Sequence, residues 1–326
     1  MIMSTTTIEI LTDNKTQFFQ ETLAGLQSEP KFMLSKYFYD ATGDRIFQQI
    51  MDMEEYYLTN AEMEILQYQS AQLSEAIAAD GTTFDLIELG AGDATKSIHL
   101  LKSLLDAQME FSYFPIDISE HVIADLEENL PKKLPALNIT GLNGDYFDML
   151  KKATELSDRR KVVLFMGANI GNMTIADAES FCISLKQLLS PNDLLITGFD
   201  LKKNPQQILS AYNDKGGITR SFNLNLLQRI NNELNGDFNI EQFEHYASYD
   251  PESGACKSYL ISLASQIVNI GHHVIHFAEN EYVFMEISQK YALGDIDQLA
   301  AKTGFTPLQR FFDKNRYFVD AIWRVD

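Results

Sequence analysis

Residues 84–97, FDLIELGAGDATKS, constrain the chain more than any other stretch. Positions 85–89 are short and apolar with no turn former inside, the pattern of a buried strand. Gly90-Ala91-Gly92 interrupts it, and from Asp93 a helical pattern begins, with Ile98, Leu101, Leu104 and Leu105 on one face. A strand, a glycine turn and a helix in succession let a nucleotide-like ligand touch backbone, because a side chain there would hold it off. Two chemistries compete for such a turn. A dinucleotide fingerprint asks for a third glycine where helix packs on strand, and that position is Thr95 here. An S-adenosylmethionine site instead suits a carboxylate at the strand end, Glu88, since that cofactor carries a sulfonium and an ammonium. The motif leaves both open, beside a plain strand-to-helix turn with Glu88 in solvent.

The surroundings extend the pattern. Strands are expected at 85–89, 112–116, 138–142, 161–166 and 193–197, with helices between them, which predicts a parallel sheet covered on both faces. Ligands bind such sheets at the C-terminal strand ends. Those ends carry Glu88 with Gly90 and Gly92, then Asp117, Gly144-Asp145-Tyr146, Gly167 with Asn172, and Asp200. Asp117 lies one strand–helix unit beyond the glycines, where a carboxylate takes ribose hydroxyls. Asp145 can accept from an adenine amine and Tyr146 can cover its face.

Before this region, a helix is expected at 14–27 with Phe18, Phe19, Leu23 and Leu26 on one side, stopped by Pro30. A segment dense in aromatics follows, with a turn at 40–43 and a short helix through Ile46, Phe47 and Ile50. Thr59-Asn60-Ala61-Glu62 fits a capping box opening a helix that runs to about Ala78. After Asp200 the alternation fails. Helices at 205–213 and 219–234 lead into strands at 244–249, 257–264, 267–277 and 282–287, a different architecture. A helix at 296–303 and a hairpin of 308–312 with 317–324 then follow. His272 and His276 have a metal spacing, but IVNIGHHVIHF reads as strand without an adjacent carboxylate, so no metal site is expected.

A formal charge of −20 argues against a nucleic-acid surface and an anionic membrane surface. No apolar run reaches the ~20 residues of a membrane span. The segment MIMSTTTIEILTDN lacks the basic region and apolar core of a secretory signal, and Cys182 and Cys256 form no disulfide framework. A cytoplasmic monomer with reduced thiols is the expectation.

With these residues assembled, the chain resembles the histidine-specific Nα-methyltransferases of ergothioneine biosynthesis. KYFYDATGDRIFQQI followed by EEYYLTNAE is similar to that family's N-terminal signature, and FMGANIGNMT to its fourth-strand signature. DLKKNPQQILSAYNDKGGITRSFNLNLLQRIN and MEISQKY resemble two more, in the same order. The resemblance implies an α/β fold: a Rossmann-like class I methyltransferase sheet with a second, α+β substrate-binding domain. The implied boundaries are 61–201 plus 290–326 for the cofactor domain and 13–60 plus 202–289 for the other. It implies S-adenosyl-L-methionine as cofactor, held by Gly90, Lys96, Asp117, Asp145 and Tyr146 beside Glu88 and Gly92. A small amino acid, histidine, is the implied substrate, converted to its trimethylated betaine. Gly167, Asn172 and Tyr212 fall where the family holds its carboxylate and amine, Tyr56 and Phe47 in the pocket wall, and Glu286 and Ser288 on the imidazole. Tyr39 is the residue expected to assist proton removal. Ser258 stands where the family can place a methionine, which keeps another amino acid or an indole derivative open as substrate. A nucleotide-binding sensor without catalysis is the remaining alternative.

Overall fold

The computed structural model describes residues 5–79 and 81–326. They form two compact units: the chain through Tyr57 with Asn204–Ser288, and Leu58–Lys203 with Gln289–Asp326. The chain opens with α1 (Thr5–Leu26), β1 (Lys31–Phe32) and α2 (Ala41–Met51). Asp40 accepts from the Gly43 N–H at 2.6 Å, so the predicted 40–43 turn is the N-cap of α2. The next unit holds α3 (Tyr57–Ile77), β2 (Phe84–Leu89), α4 (Ile98–Asp106), β3 (Phe111–Asp117), α5 (Glu120–Lys133) and β4 (Leu142–Asn143). It continues through α6 (Tyr146–Glu155), β5 (Arg160–Phe165), α7 (Ile175–Gln187) and β6 (Leu194–Asp200). The chain then forms α8 (Pro205–Tyr212), α9 (Ile218–Leu234), β7 (Phe243–Tyr249), β8 (Ala255–Ser262), β9 (Gln266–Ile270), β10 (His273–Phe277) and β11 (Tyr282–Gln289). Last come α10 (Leu293–Thr303), β12 (Phe305–Phe312) and β13 (Phe318–Val325).

The larger sheet has the order β12-β13-β6-β5-β2-β3-β4. Strands β2 to β6 run parallel, β13 enters antiparallel against β6, and β12 pairs antiparallel with β13. All six residues of β2 are buried, as a central parallel strand requires, so an unbroken apolar run rather than an alternation marks it. One face is a core of Ile87, Leu89, Val163, Phe165, Phe199 and Trp323 packed with Phe181, Leu185 and Leu299 of α7 and α10. Alternation turns Glu88, Gly198 and Asp320 to the opposite face. There α3 lies close: a Cβ on Gly198 would meet the Glu62 Oε1 at 2.6 Å.

In the other unit a four-stranded sheet has the order β1-β11-β8-β7, and β9 pairs with β10 as a separate hairpin. Phe222, Leu226 and Ile230 of α9 pack with Phe243, Leu260, Val283 and Met285 of the sheet, and with Phe18 and Phe38. The amphipathic spacing expected for 219–234 is therefore the face that fills this core.

Four sequence expectations are corrected. The run 267–277 is not one strand: Gly271, at φ +58°, turns it back so that His273 pairs with Ile270 and His276 with Ile267. The strand expected at 138–142 is reduced to β4 and a single bridge from Ile139 to Tyr113. The helix after the glycines starts at Ile98 instead of Asp93, because Gly90, Gly92 and Ala94 all take positive φ. Helix α3 begins at Tyr57, so Thr59 and Glu62 lie inside it and form no capping box.

Candidate active site

The C-terminal ends of β2, β3, β4 and β5 bring together most of the residues expected at the cofactor. Gly90 turns with φ +73°, and its N–H donates to the Ile116 carbonyl at 2.8 Å. A Cβ there would stand 2.7 Å from the Tyr146 hydroxyl, so that ring lies directly over the turn. Gly92 is open, with nothing within 4 Å of an added Cβ. Its N–H donates to Asp117 Oδ2 at 3.2 Å, while Asp117 Oδ1 accepts from Ser119 N–H at 3.0 Å. A carboxylate has about four acceptor sites, which leaves Asp117 capacity for two ribose hydroxyls. Asp145 caps α6 through Oδ1, accepting from the Phe147 N–H at 2.9 Å. Burial, then the charges of Asp117 and Asp145, pushes the Tyr146 hydroxyl up to about 12, so it stays a neutral donor.

Glu88 takes a different place. It is 4 % exposed and accepts from the buried Tyr113 hydroxyl at 2.5 Å. Its carboxyl therefore belongs to the layer beneath the turn. Lys96 reaches the Gly167 side of the site, where its Nζ would be 3.6 Å from an added Cβ, and forms an ion pair with Glu62. Gly167 and Ala168 both take left-handed φ, +75° and +55°, before a 3₁₀ turn over Asn169–Asn172. A non-glycine residue in that region is the kind of strain that collects at functional sites. Asn172 is exposed on this turn. Asn169 was not singled out from the sequence, yet its amide would be 3.6 Å from an added Cβ on either Gly90 or Gly167. Only its place in FMGANIGNMT pointed to it.

The other unit holds the aromatic and hydroxyl set. Tyr39, 46 % exposed, sets its ring edge-on to Phe47 and Phe222, with centroids 5.5 and 5.7 Å away. Phe222, read from the sequence only as a core position, is thus the base on which Tyr39 and Phe47 rest. Tyr56 meets Tyr212 edge-on at 6.2 Å, and the Tyr212 hydroxyl is 2.7 Å from the Ser288 Oγ. Glu286 lies two residues before Ser288 on β11, hence on the same face. That face also carries Phe284 and Tyr282, which pack on Tyr259 with centroids at 5.9 and 5.4 Å. So β8 presents Tyr259 to the face of β11 that carries Tyr282 and Phe284. Ser258 is turned into the buried side with Leu260 instead of forming the wall expected of it.

Among the described residues no cluster of His, Cys, Asp and Glu could hold a metal ion, and no helix is long and apolar enough to cross a membrane. The donor set fits a cationic adenosine ligand. Open backbone at Gly92, an acidic residue ending β3 and a tyrosine over the turn match its ribose and base, and the acidic surroundings match its sulfonium. Strand order and site together define a class I S-adenosylmethionine-dependent methyltransferase.

The family described as "Histidine-specific methyltransferase, SAM-dependent" matches residues 18–325, and the chain belongs to it. It is 33 % identical over 283 residues to the histidine N-alpha-methyltransferase of Mycolicibacterium smegmatis, covering 86 % of each chain. With the protein of the same name from Mycobacterium tuberculosis it shares 32 % over 274 residues, 83 % of this chain and 84 % of that one. Ergothioneine biosynthesis protein 1 of Neurospora crassa is 28 % identical over 296 residues, covering 88 % of this chain and 32 % of the longer relative.

Proposed function

We propose that the protein transfers methyl groups from S-adenosylmethionine to the α-amine of L-histidine, carrying it to the trimethylated betaine. The observation that supports this most is the Tyr212–Ser288 hydroxyl pair with Glu286 beside it on β11. A carboxylate and a hydroxyl on one strand face suit an imidazole N–H, and a neutral tyrosine hydroxyl orients a carboxylate without adding charge. Gly90, Gly92, Lys96, Asp117, Asp145 and Tyr146 bind the cofactor, which when bound supplies an electrophilic methyl on sulfur. The Gly167 N–H is already held by Glu62 at 2.6 Å, so Gly167 offers an amine its carbonyl. The aromatic rings around Tyr39 exclude water, and the exposed Tyr39 hydroxyl passes the ammonium proton outward. Alignment of a neutral amine in a water-poor site lowers the barrier without a strong base. The enzyme works as a cytoplasmic monomer on a free amino acid; both cysteines are buried thiols, as a reducing compartment suits.

Mass spectrometry of histidine incubated with enzyme and methyl donor should find mono-, di- and trimethylated products. Phenylalanine and histidinamide should react orders of magnitude more slowly, because each leaves buried polar groups unpaired. Equal turnover of phenylalanine and histidine would refute the substrate assignment.

A further inference from the structure

Helix α3 places the Glu62 side chain between two parts of the site. Glu62 has no exposed side-chain surface. One of its oxygens accepts from the Gly167 N–H at 2.6 Å; the other forms the ion pair with Lys96. Asp320 of β13 is buried on the same face, and neither of its oxygens has a hydrogen-bond partner among the described residues. Burial, then the neighbouring Glu62 charge, raises the Asp320 carboxyl well above its ordinary range. Burial alone would lower Lys96, but Glu62 first, then Asp320 and Glu88, hold it above its ordinary value. The lysine is a cation with one close carboxylate partner, and 28 % of its side chain still faces outward. An ammonium has three donors, so two remain.

We propose that Glu62 is a positioning residue for the methyl-donor site: it holds the Lys96 ammonium so that the remaining donors take the carboxylate at the amino-acid end of the cofactor. The proposal rests on the glycine turn being the S-adenosylmethionine site. The cofactor's only anionic group is that carboxylate, and Asp117, Asp145 and Glu88 cannot receive it. Without Glu62 a lysine on a four-carbon stem has many rotamers and loses most of its preorganisation.

Glu62→Gln separates the two duties of the side chain. Its carbonyl can still accept from Gly167, while its amide turns a donor toward the lysine. Two ligands are compared by calorimetry: S-adenosylhomocysteine, which has the carboxylate, and methylthioadenosine, which lacks the amino-acid end. Glu62→Gln should weaken the first by about tenfold or more, ~1.4 kcal/mol or above, and leave the second unchanged. Lys96→Met should give the same pattern, and the double variant should lose no more than Lys96→Met alone. Equal weakening of both ligands, no weakening of either, or additive losses in the double variant would overturn the proposal. If Glu62→Gln fails to fold, Glu62→Asp keeps the charge but shortens the reach and should show the same selective loss. Wild-type protein that binds neither ligand would instead remove the cofactor assignment on which the proposal stands.

Discussion

Gly90 offers a sharp test of how the turn and Tyr146 share one space. Gly90→Ala has two separable effects. The backbone is at φ +73°, and holding an alanine there costs about 1–2 kcal/mol in free and bound protein alike. That term lowers thermal stability by a few degrees, about 2–4 °C per kcal/mol for a unit of this size, and does not touch affinity. The second effect is steric. The new methyl would stand 2.7 Å from the Tyr146 hydroxyl, well inside contact, so the ring must move. If that ring covers the adenine, losing the stack costs roughly 1–3 kcal/mol, or about five- to 150-fold in Kd. Removing the hydroxyl separates the terms. Without it, the nearest ring atom to the methyl is the Tyr146 Cζ at 3.5 Å, an ordinary contact. Gly90→Ala/Tyr146→Phe should therefore bind S-adenosylhomocysteine within about threefold of Tyr146→Phe while still melting early. Calorimetry and thermal unfolding on the four proteins give both readouts. If Gly90→Ala binds normally, or the double variant stays as weak as the single, the hydroxyl is not the obstacle and the placement of Tyr146 over the ligand is wrong.

Glu286→Ala should erode the preference for histidine over phenylalanine while cofactor affinity stays constant; a preference that survives would move imidazole recognition elsewhere. Burial pushes the Glu88 carboxyl up to about 7 against the pull of the Tyr113 hydroxyl. Its folded value lies above the unfolded value of about 4.3, so its contribution to stability is full below that and is lost as pH rises through about 7. Glu88→Gln should flatten the fall in melting temperature between about pH 5 and pH 8, and a parallel profile would refute the assignment. Asp200 is fully buried and pairs with Lys203 and, at 2.7 Å, with Lys290. Asp200→Ala removes the buried carboxylate that both ammonium groups share and should cost about 3–5 kcal/mol in urea unfolding; a loss under about 1 kcal/mol would mean that solvent reaches them.

Much of the larger unit was legible because its signals are local. The apolar run of β2, the glycines after it and Asp117 at the end of β3 each report on a few neighbouring residues, and parallel topology follows from the alternation. What failed was not local. Thr59 and Glu62 match a capping box in spacing, but the helix starts at Tyr57, and the partners of Glu62, Lys96 and Gly167, lie on two loops far along the chain. The pairing of β9 with β10 was hidden because β-branched residues stand on both sides of Gly271. Ser258 is a matter of parity: shifting one position along β8 exchanges the buried face for the one that Tyr259 presents. Asp320 gave no signal, since an acidic residue in a strand reads as solvent-facing until its neighbours are known.

The pairing of β6 with β13 has a consequence for how the chain is made. Asp200 lies opposite Phe318, and the whole of Asn204–Ser288 is synthesised between them. A nascent chain can complete β2 to β6 early, but β6 then presents an open edge until the last strand arrives, and unpaired edges invite misassembly. Closing that gap is a long-range contact, slow by its topology. The inserted segment gains nothing by waiting for it, since its own core of Phe243, Leu260 and Met285 can collapse first and shorten the effective loop. The order of assembly is thus expected to run from the inside out, with Trp323 and Asp320 locking the older strands last.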